Sequence, residues 1–235
     1  MGAPRAEVGN RLLDALPGQE LAQLHEYLES VPLTLRQPLQ QPDVLPQYVY
    51  FPIDAICSVV SQMEDGTTIE ALIVGCEGVT GLPQLLGART GKLVEMAQVP
   101  GLALRLRLRD LHLQDLPHLS SGLRAYTIGV LLALVRCTAC NRAHSVEQRA
   151  ARWLLMVDDG VGGRAFELTQ EFLAMMLGVN RPNVTLAAAA LARSGLIEYR
   201  YGKVRVLNRR GLERRACECY SVIHEALHGT DLNPD

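Results

Sequence analysis

The chain has 235 residues, 48% apolar and 20% charged, which is ordinary for a folded protein of one large or two average domains and argues against disorder. Its formal net charge is −2, but residues 143–220 carry 12 Lys+Arg against 8 Asp+Glu while residues 1–142 carry 11 against 14. A mildly basic segment inside an acidic chain points to an anionic partner for that segment. Six cysteines are too few for a secreted disulfide framework.

In chain order, "MGAPRAEVGN" has neither the apolar core of a secretory signal nor the Ser or Thr of a myristoylation motif, so a cytoplasmic protein is expected. Residues 8–30 read as helix, with Leu12, Leu13, Leu16, Leu21, Leu24 and Leu28 at helical spacing around a Pro17-Gly18 turn. From 31 to about 110, short runs such as "QYVYFP", "AICSVVSQM", "TIEALIVG", "KLVEMAQV" and "LALRLRL" alternate with Pro, Gly and Asp. Asp65-Gly66 marks a hairpin, and strands at this spacing suggest a small barrel or roll.

Residues 111–143 are predicted helical. Leu123, Tyr126, Val130, Ala133, Cys137 and Cys140 fall on an a/d row, and Leu131, Leu132, Leu134 and Val135 widen the apolar surface. Two apolar sides suit a dimer helix, and a single buried helix is the alternative. "YTIGVLLALV" reads as too short to span a bilayer, so no membrane partner is expected. Ser145 with Gln148 forms a capping box that opens the next helix, which "DDGVGG" ends.

The stretch "LTQEFLAMMLGVNRPNVTLAAAALARSGLIEYR" (168–200) carries the functional signal. Thr169, Gln170 and Glu171 start a helix, Gly178 suits a tight turn, Asn180 caps a second helix and Pro182 fits its first turn. This is a helix-turn-helix pattern, in which the second helix enters the DNA major groove. Arg181 is expected to read guanine, Asn183 to read adenine or hold phosphate, and Thr185 to touch a thymine methyl or the backbone. Thr169 and Gln170 sit where a helix N-terminus favours phosphate. "GLIEYRYGKVRVLNRRGL" reads as a hairpin wing, with Arg200, Lys203 and Arg205 in reach of phosphates. Plain helical bundles also contain such turns; the arginine, the wing and the local positive charge favour DNA.

On these residues, together with "VYFPIDAICSVV" and "GCEGVTGLPQLLG", the chain resembles the cyclic-AMP receptor protein/fumarate-nitrate regulator (Crp/Fnr) family of bacterial transcription factors over nearly its whole length. The resemblance implies an α+β fold. A β-roll sensor of the cyclic-nucleotide-binding type spans 1–110, a long dimerisation helix 111–143 and a winged helix-turn-helix 144–220, leaving a tail at 221–235. It implies a homodimer on a palindromic operator, with the recognition helix at about 180–193 and contact with RNA polymerase. Arg181 matches the family's base-reading arginine. Pro182 stands where cyclic-nucleotide-responsive members have Glu, and Leu186 where some have a second Arg, so the target sequence differs.

The sensor pattern departs further. Leu82 replaces the ribose-binding Glu, and Arg89-Thr90 is a weak match for the phosphate-binding pair, which argues against a cyclic nucleotide. With no Cys before Cys57, an iron–sulfur cluster is not expected. His25, His112, His118 and His144 read as ordinary histidines. Cys137 and Cys140, one helical turn apart near the dimer seam, are weak candidates for a metal or an interchain disulfide, with small buried hydrophobes as the bland alternative. Cys217 and Cys219 on a helix would point about 160–200° apart, a poor chelating pair. No catalytic triad, phosphate loop, HExxH or paired-carboxylate motif is present, so an enzyme is not expected. The alternative is a ligand-binding module that acts on a protein partner and keeps a vestigial helix-turn-helix.

Overall fold

The computed structural model describes residues 8–89 and 91–229. Two short helices, α1 (Arg11–Asp14) and α2 (Gly18–His25), open the chain and break at Pro17-Gly18. Leu12, Leu13, Leu16 and Leu24 bury into the core. The helical reading of residues 8–30 is corrected at its end: Glu29–Leu33 is strand β1, paired with the seventh strand, where Glu29 meets Arg105 across the register.

The strands then follow as β2 (Pro38–Gln40), β3 (Tyr48–Pro52), β4 (Ile56–Gln62), β5 (Thr68–Val74), β6 (Leu93–Val99) and β7 (Gly101–Arg107), with a short helix α3 (Leu82–Leu85) between β5 and β6. One antiparallel sheet has the order β1-β7-β3 and the other β2-β6-β4-β5. β4 and β5 are joined through the expected Asp65-Gly66 turn, where Gly66 has positive φ. The Leu/Arg alternation of β7 leaves Arg105 and Arg107 beside the Tyr48 ring, 4.5 and 5.6 Å from its centroid.

After two 3-10 turns comes α4 (Pro117–Ala143), 27 residues long. By length and composition α4 is apolar enough to cross a membrane, contrary to the expectation from its central run. Its a/d row instead serves the protein's own core: Leu119, Leu123, Tyr126, Ala133 and Cys140 are all buried there. The opposite ridge is bare, with Ile128 57%, Leu131 61%, Leu132 53% and Val135 63% exposed.

α5 (Val146–Val161) opens on the Ser145–Gln148 capping box and closes on Gly162 in the left-handed region. Then come β8 (Phe166–Glu167), α6 (Gln170–Leu177), α7 (Arg181–Arg193), β9 (Ile197–Arg200), β10 (Lys203–Val206), α8 (Arg209–Arg215) and α9 (Cys219–His228). A three-stranded sheet, β8-β10-β9, forms the wing. The expected tail from 221 is corrected: residues 221–228 continue α9, and the tail reading of 230–235 lies outside the described residues. α9 folds back on α4 because Cys219, Ile223 and Leu227 share one face at helical spacing and enter the same core as the roll.

A second core joins α5–α8 and the wing to the outer face of the roll through Ile56, Val60, Ile73 and Val99. At that seam Glu70 accepts hydrogen bonds from Ser58 Oγ and Trp153 Nε1, both at 2.7 Å. Burial pushes the Glu70 carboxyl up to about 7, against the effect of both hydrogen bonds.

Candidate nucleic-acid interface

The turn between α6 and α7 is built by local chemistry. Thr169 caps α6, its hydroxyl accepting from the Phe172 N–H at 3.1 Å. Gly178 ends α6 with φ 61°, a left-handed conformation that suits glycine. Asn180 caps α7, its side chain accepting from the Asn183 N–H at 3.2 Å. Phe172, Leu173, Met176 and Leu177 on one helix meet Val184, Ala187, Ala188 and Leu191 on the other, and small alanines let the backbones approach closely.

This packing leaves the other face of α7 to solvent. Arg181, Asn183, Thr185 and Leu186 are exposed, and Arg181 is the first residue of the helix. The Thr185 hydroxyl lies 2.7 Å from Gln170 Oε1 and 3.0 Å from the Arg181 carbonyl, so these two acceptors share its proton. The two helices are therefore tied together at the predicted contact face, and Thr185 and Gln170 are partly committed to each other. Asn180 likewise spends its acceptor on the cap. Arg181 and the side-chain amide of Asn183 remain the freest polar groups among the predicted residues of α6 and α7.

The wing lies beside this face. Tyr201 and Gly202 make its tip, both with positive φ, and Tyr201 is fully exposed. Arg200, Lys203 and Arg205 project from β9 and β10 into solvent; Arg200 has only a loose contact with Glu198 at 3.8 Å. A groove between α7 and the wing tip is lined by Thr169, Gln170, Arg181, Thr185, Tyr199 and Tyr201. Tyr199 anchors the wing by donating from its hydroxyl to the Leu168 carbonyl at 2.9 Å, and burial pushes its phenol up to about 12. Tyr199 and Tyr201 lay outside the predicted set; the signal was present as two aromatics flanking the wing tip.

Residues 148–215 match the model of the Crp-like helix-turn-helix domain. The C-terminal unit is therefore similar to a Crp-like helix-turn-helix domain. Solved structures extend the likeness across the roll. TTHB099, a CRP-family transcriptional regulator from Thermus thermophilus, is 20% identical with a TM-score of 0.65, covering 79% of this chain and 96% of its own. FixK2 from Bradyrhizobium japonicum is 17% identical with a TM-score of 0.66, covering 81% and 98%. TTHA1359, a CRP/FNR-family transcriptional regulator also from Thermus thermophilus, is 22% identical with a TM-score of 0.58, covering 80% and 98%. No curated protein matches the chain by sequence. The resemblance read from the sequence, a β-roll followed by a Crp-like helix-turn-helix, is borne out.

The other candidates are placed differently. Arg89 is exposed on the loop after α3, and Thr90 lies outside the described residues. Inside the roll stands a carboxyl: Glu95 is 3% exposed, accepts from the Gly81 N–H at 2.8 Å and is pushed up to about 7 by burial. Within one chain Cys137 and Cys140 face different partners. Cys137 faces the Arg152 guanidinium at 3.8 Å, and Cys140, fully buried, faces Cys217 within the same chain at 3.5 Å. The Cys140 thiol is held below the ordinary thiol value, first by its hydrogen bond with Cys217 and against the effect of burial.

Proposed function

We propose that the protein is a homodimeric, sequence-specific DNA-binding transcription regulator of the Crp/Fnr type, acting in the bacterial cytoplasm. One observation carries the reading. Arg181 stands exposed on the first turn of α7, beside a wing whose Arg200, Lys203 and Arg205 are also exposed. That puts a bidentate guanine reader and a set of phosphate-binding cations on neighbouring surfaces, as a winged helix-turn-helix requires. Lys203 and Arg200 position the duplex, and Arg181 with Asn183 carries sequence choice.

The dimer forms along the bare ridge of α4. Ile128, Leu131, Leu132 and Val135 recur at i, i+3, i+4 and i+7, the spacing of a helix seam. Two copies joined there present two recognition helices to a palindrome, and contact with RNA polymerase turns binding into regulation. Catalysis has no place in this reading.

The test is selection of sites from random duplex DNA with purified, reduced protein, followed by a salt titration on the enriched sequence. A two-fold symmetric site whose affinity falls steeply with salt is expected. If no sequence is enriched, either with protein alone or with added cell extract, the reading fails.

A further inference from the structure

Three cysteines and a histidine from distant parts of the chain meet at the junction of α4, α5 and α9. Cys140 sits in the last turn of α4, and His144 is the residue that ends it. Cys217 lies in the link after α8, and Cys219 is the first residue of α9. Cys140, Cys217 and Cys219 are buried, and the His144 side chain is only 16% exposed. Their ligating atoms all lie within 4.8 Å of one another. We propose that Cys140, His144, Cys217 and Cys219 hold one zinc ion, a site that ties the end of the long helix to the C-terminal helix.

The spacing fits a single tetrahedral ion. Zn–S bonds of about 2.3 Å and Zn–N bonds of about 2.0–2.1 Å at tetrahedral angles set sulfurs about 3.8 Å apart and sulfur and nitrogen about 3.6 Å apart. The Cys140 and Cys217 sulfurs are 3.5 Å apart, and Cys219 Sγ is 3.6 Å from His144 Nδ1. Bonded sulfurs would stand about 2.05 Å apart, and a disulfide would use only two of the four groups. Three thiolates and an imidazole in a tetrahedral set suit zinc, and four protein ligands close the site to substrate.

The surroundings fit as well. His144 turns Nδ1 to the cluster, while Nε2 contacts Glu218 Oε2 at 3.2 Å. Glu218 is held in turn by Arg136 Nη2 at 3.1 Å. This carboxylate–histidine arrangement fixes the tautomer that leaves Nδ1 free to bind metal. Zinc with three thiolates carries one net negative charge. Arg149 and Arg152 are 7% and 6% exposed, close enough to feel the charge of Cys140 and Cys217; Arg152 also feels Glu70, but among the described residues neither has a carboxylate within salt-bridge distance. Both also keep a buried Nε without a partner. Buried cations need a compensating charge, and a zinc–thiolate centre supplies one.

The sequence pattern hid this site because Cys217 is not helical. The chain reaches Cys217 in extended form and enters α9 only at Cys219, so the two thiols converge instead of pointing apart.

The test uses the full-length protein, expressed with added zinc and purified without chelator. Elemental analysis should find about one zinc per chain. Replacement by cobalt should give the charge-transfer and visible bands of a tetrahedral sulfur-rich site. Cys217→Ser should abolish the cobalt bands, and Cys76→Ser, outside the set, should leave them intact. Glu218→Gln keeps all four ligands and should weaken zinc binding by roughly 10–100-fold while retaining the tetrahedral cobalt spectrum. That intermediate loss separates a metal site from a variant that merely unfolds. A folded protein with far less than one zinc per chain and no cobalt bands would overturn the proposal. So would a Cys140–Cys217 disulfide in protein purified without reductant, or iron with acid-labile sulfide in place of zinc.

Discussion

The DNA-facing surface and the thiol cluster sit in neighbouring parts of one chain but are assembled in opposite ways. Every element of the surface comes from residues 168–206, and each is set by its immediate neighbours: Thr169 caps α6, Gly178 turns the chain and Asn180 caps α7. The cluster needs residues 77 positions apart to meet, and they meet only because α9 returns to α4. Local structure suffices for an exposed surface of the kind proposed to meet DNA. A closed site for a small ion needs the tertiary fold first. The bare ridge of α4, the proposed dimer seam, lies between these extremes: one helix supplies all of it, yet the proposed role needs a second copy.

The largest effect is expected at that ridge. Leu131→Glu places a charge where Ile128, Leu132 and Val135 would pack against the partner, while an exposed position costs the monomer little. The expected result is a folded monomer by sedimentation, with affinity for a palindrome reduced at least about 100-fold, or about 2.7 kcal/mol. A dimer of unchanged affinity would move the interface elsewhere. Next in size is Arg181→Ala. Loss of a bidentate base contact should cost roughly 1–3 kcal/mol and relax the preference at one base pair per half-site, read by competition with single-base variants. Lys203→Ala sharpens the contrast within the same surface. It should weaken all sequences alike and lower the salt slope by about one.

What could be read from the chain follows the same division. The capping box at Ser145, the turn at Gly178 and the hairpin at Asp65-Gly66 were legible because each depends on a few adjacent residues. The roll was legible as alternating strands, but its β1 edge was missed, since Glu29 becomes strand only by pairing with Arg105. α4 was recognised as a helix with two apolar sides, but which side enters its own core was not legible. The a/d row with Cys140 turns inward, and the ridge that read as mere extra width is the free one. Periodicity reports that a helix has two apolar sides; which one meets its own core depends on where α9 and the roll lie. For the same reason His144 read as an ordinary histidine, and Cys217 with Cys219 as a poor chelating pair.

The smallest expected effect tests whether the two halves of the chain are coupled by charge. Glu70 of the roll accepts from Trp153 of α5, and burial raises its carboxyl from an ordinary value to about 7. A carboxyl raised in the folded state binds its proton more tightly there than in the unfolded chain. Stability is therefore greatest below the unfolded value, near 4.5, and falls as pH climbs from there to about 7, with no further loss above. Glu70 is partly exposed, so the fall attributable to it is on the order of 1 kcal/mol. Glu70→Gln keeps an acceptor for Ser58 and Trp153 but cannot ionise. Denaturant melts across pH 4–8 should show a shallower fall for the variant, with stability equal to or above the parent at pH 8. Glu95, also raised to about 7 but enclosed within the roll, will continue to contribute its own slope in that variant. A variant that loses stability equally at every pH would mean that the carboxylate acts at the seam only as a hydrogen-bond acceptor, and that its ionisation does not bear on how the sensor holds the DNA-binding domain.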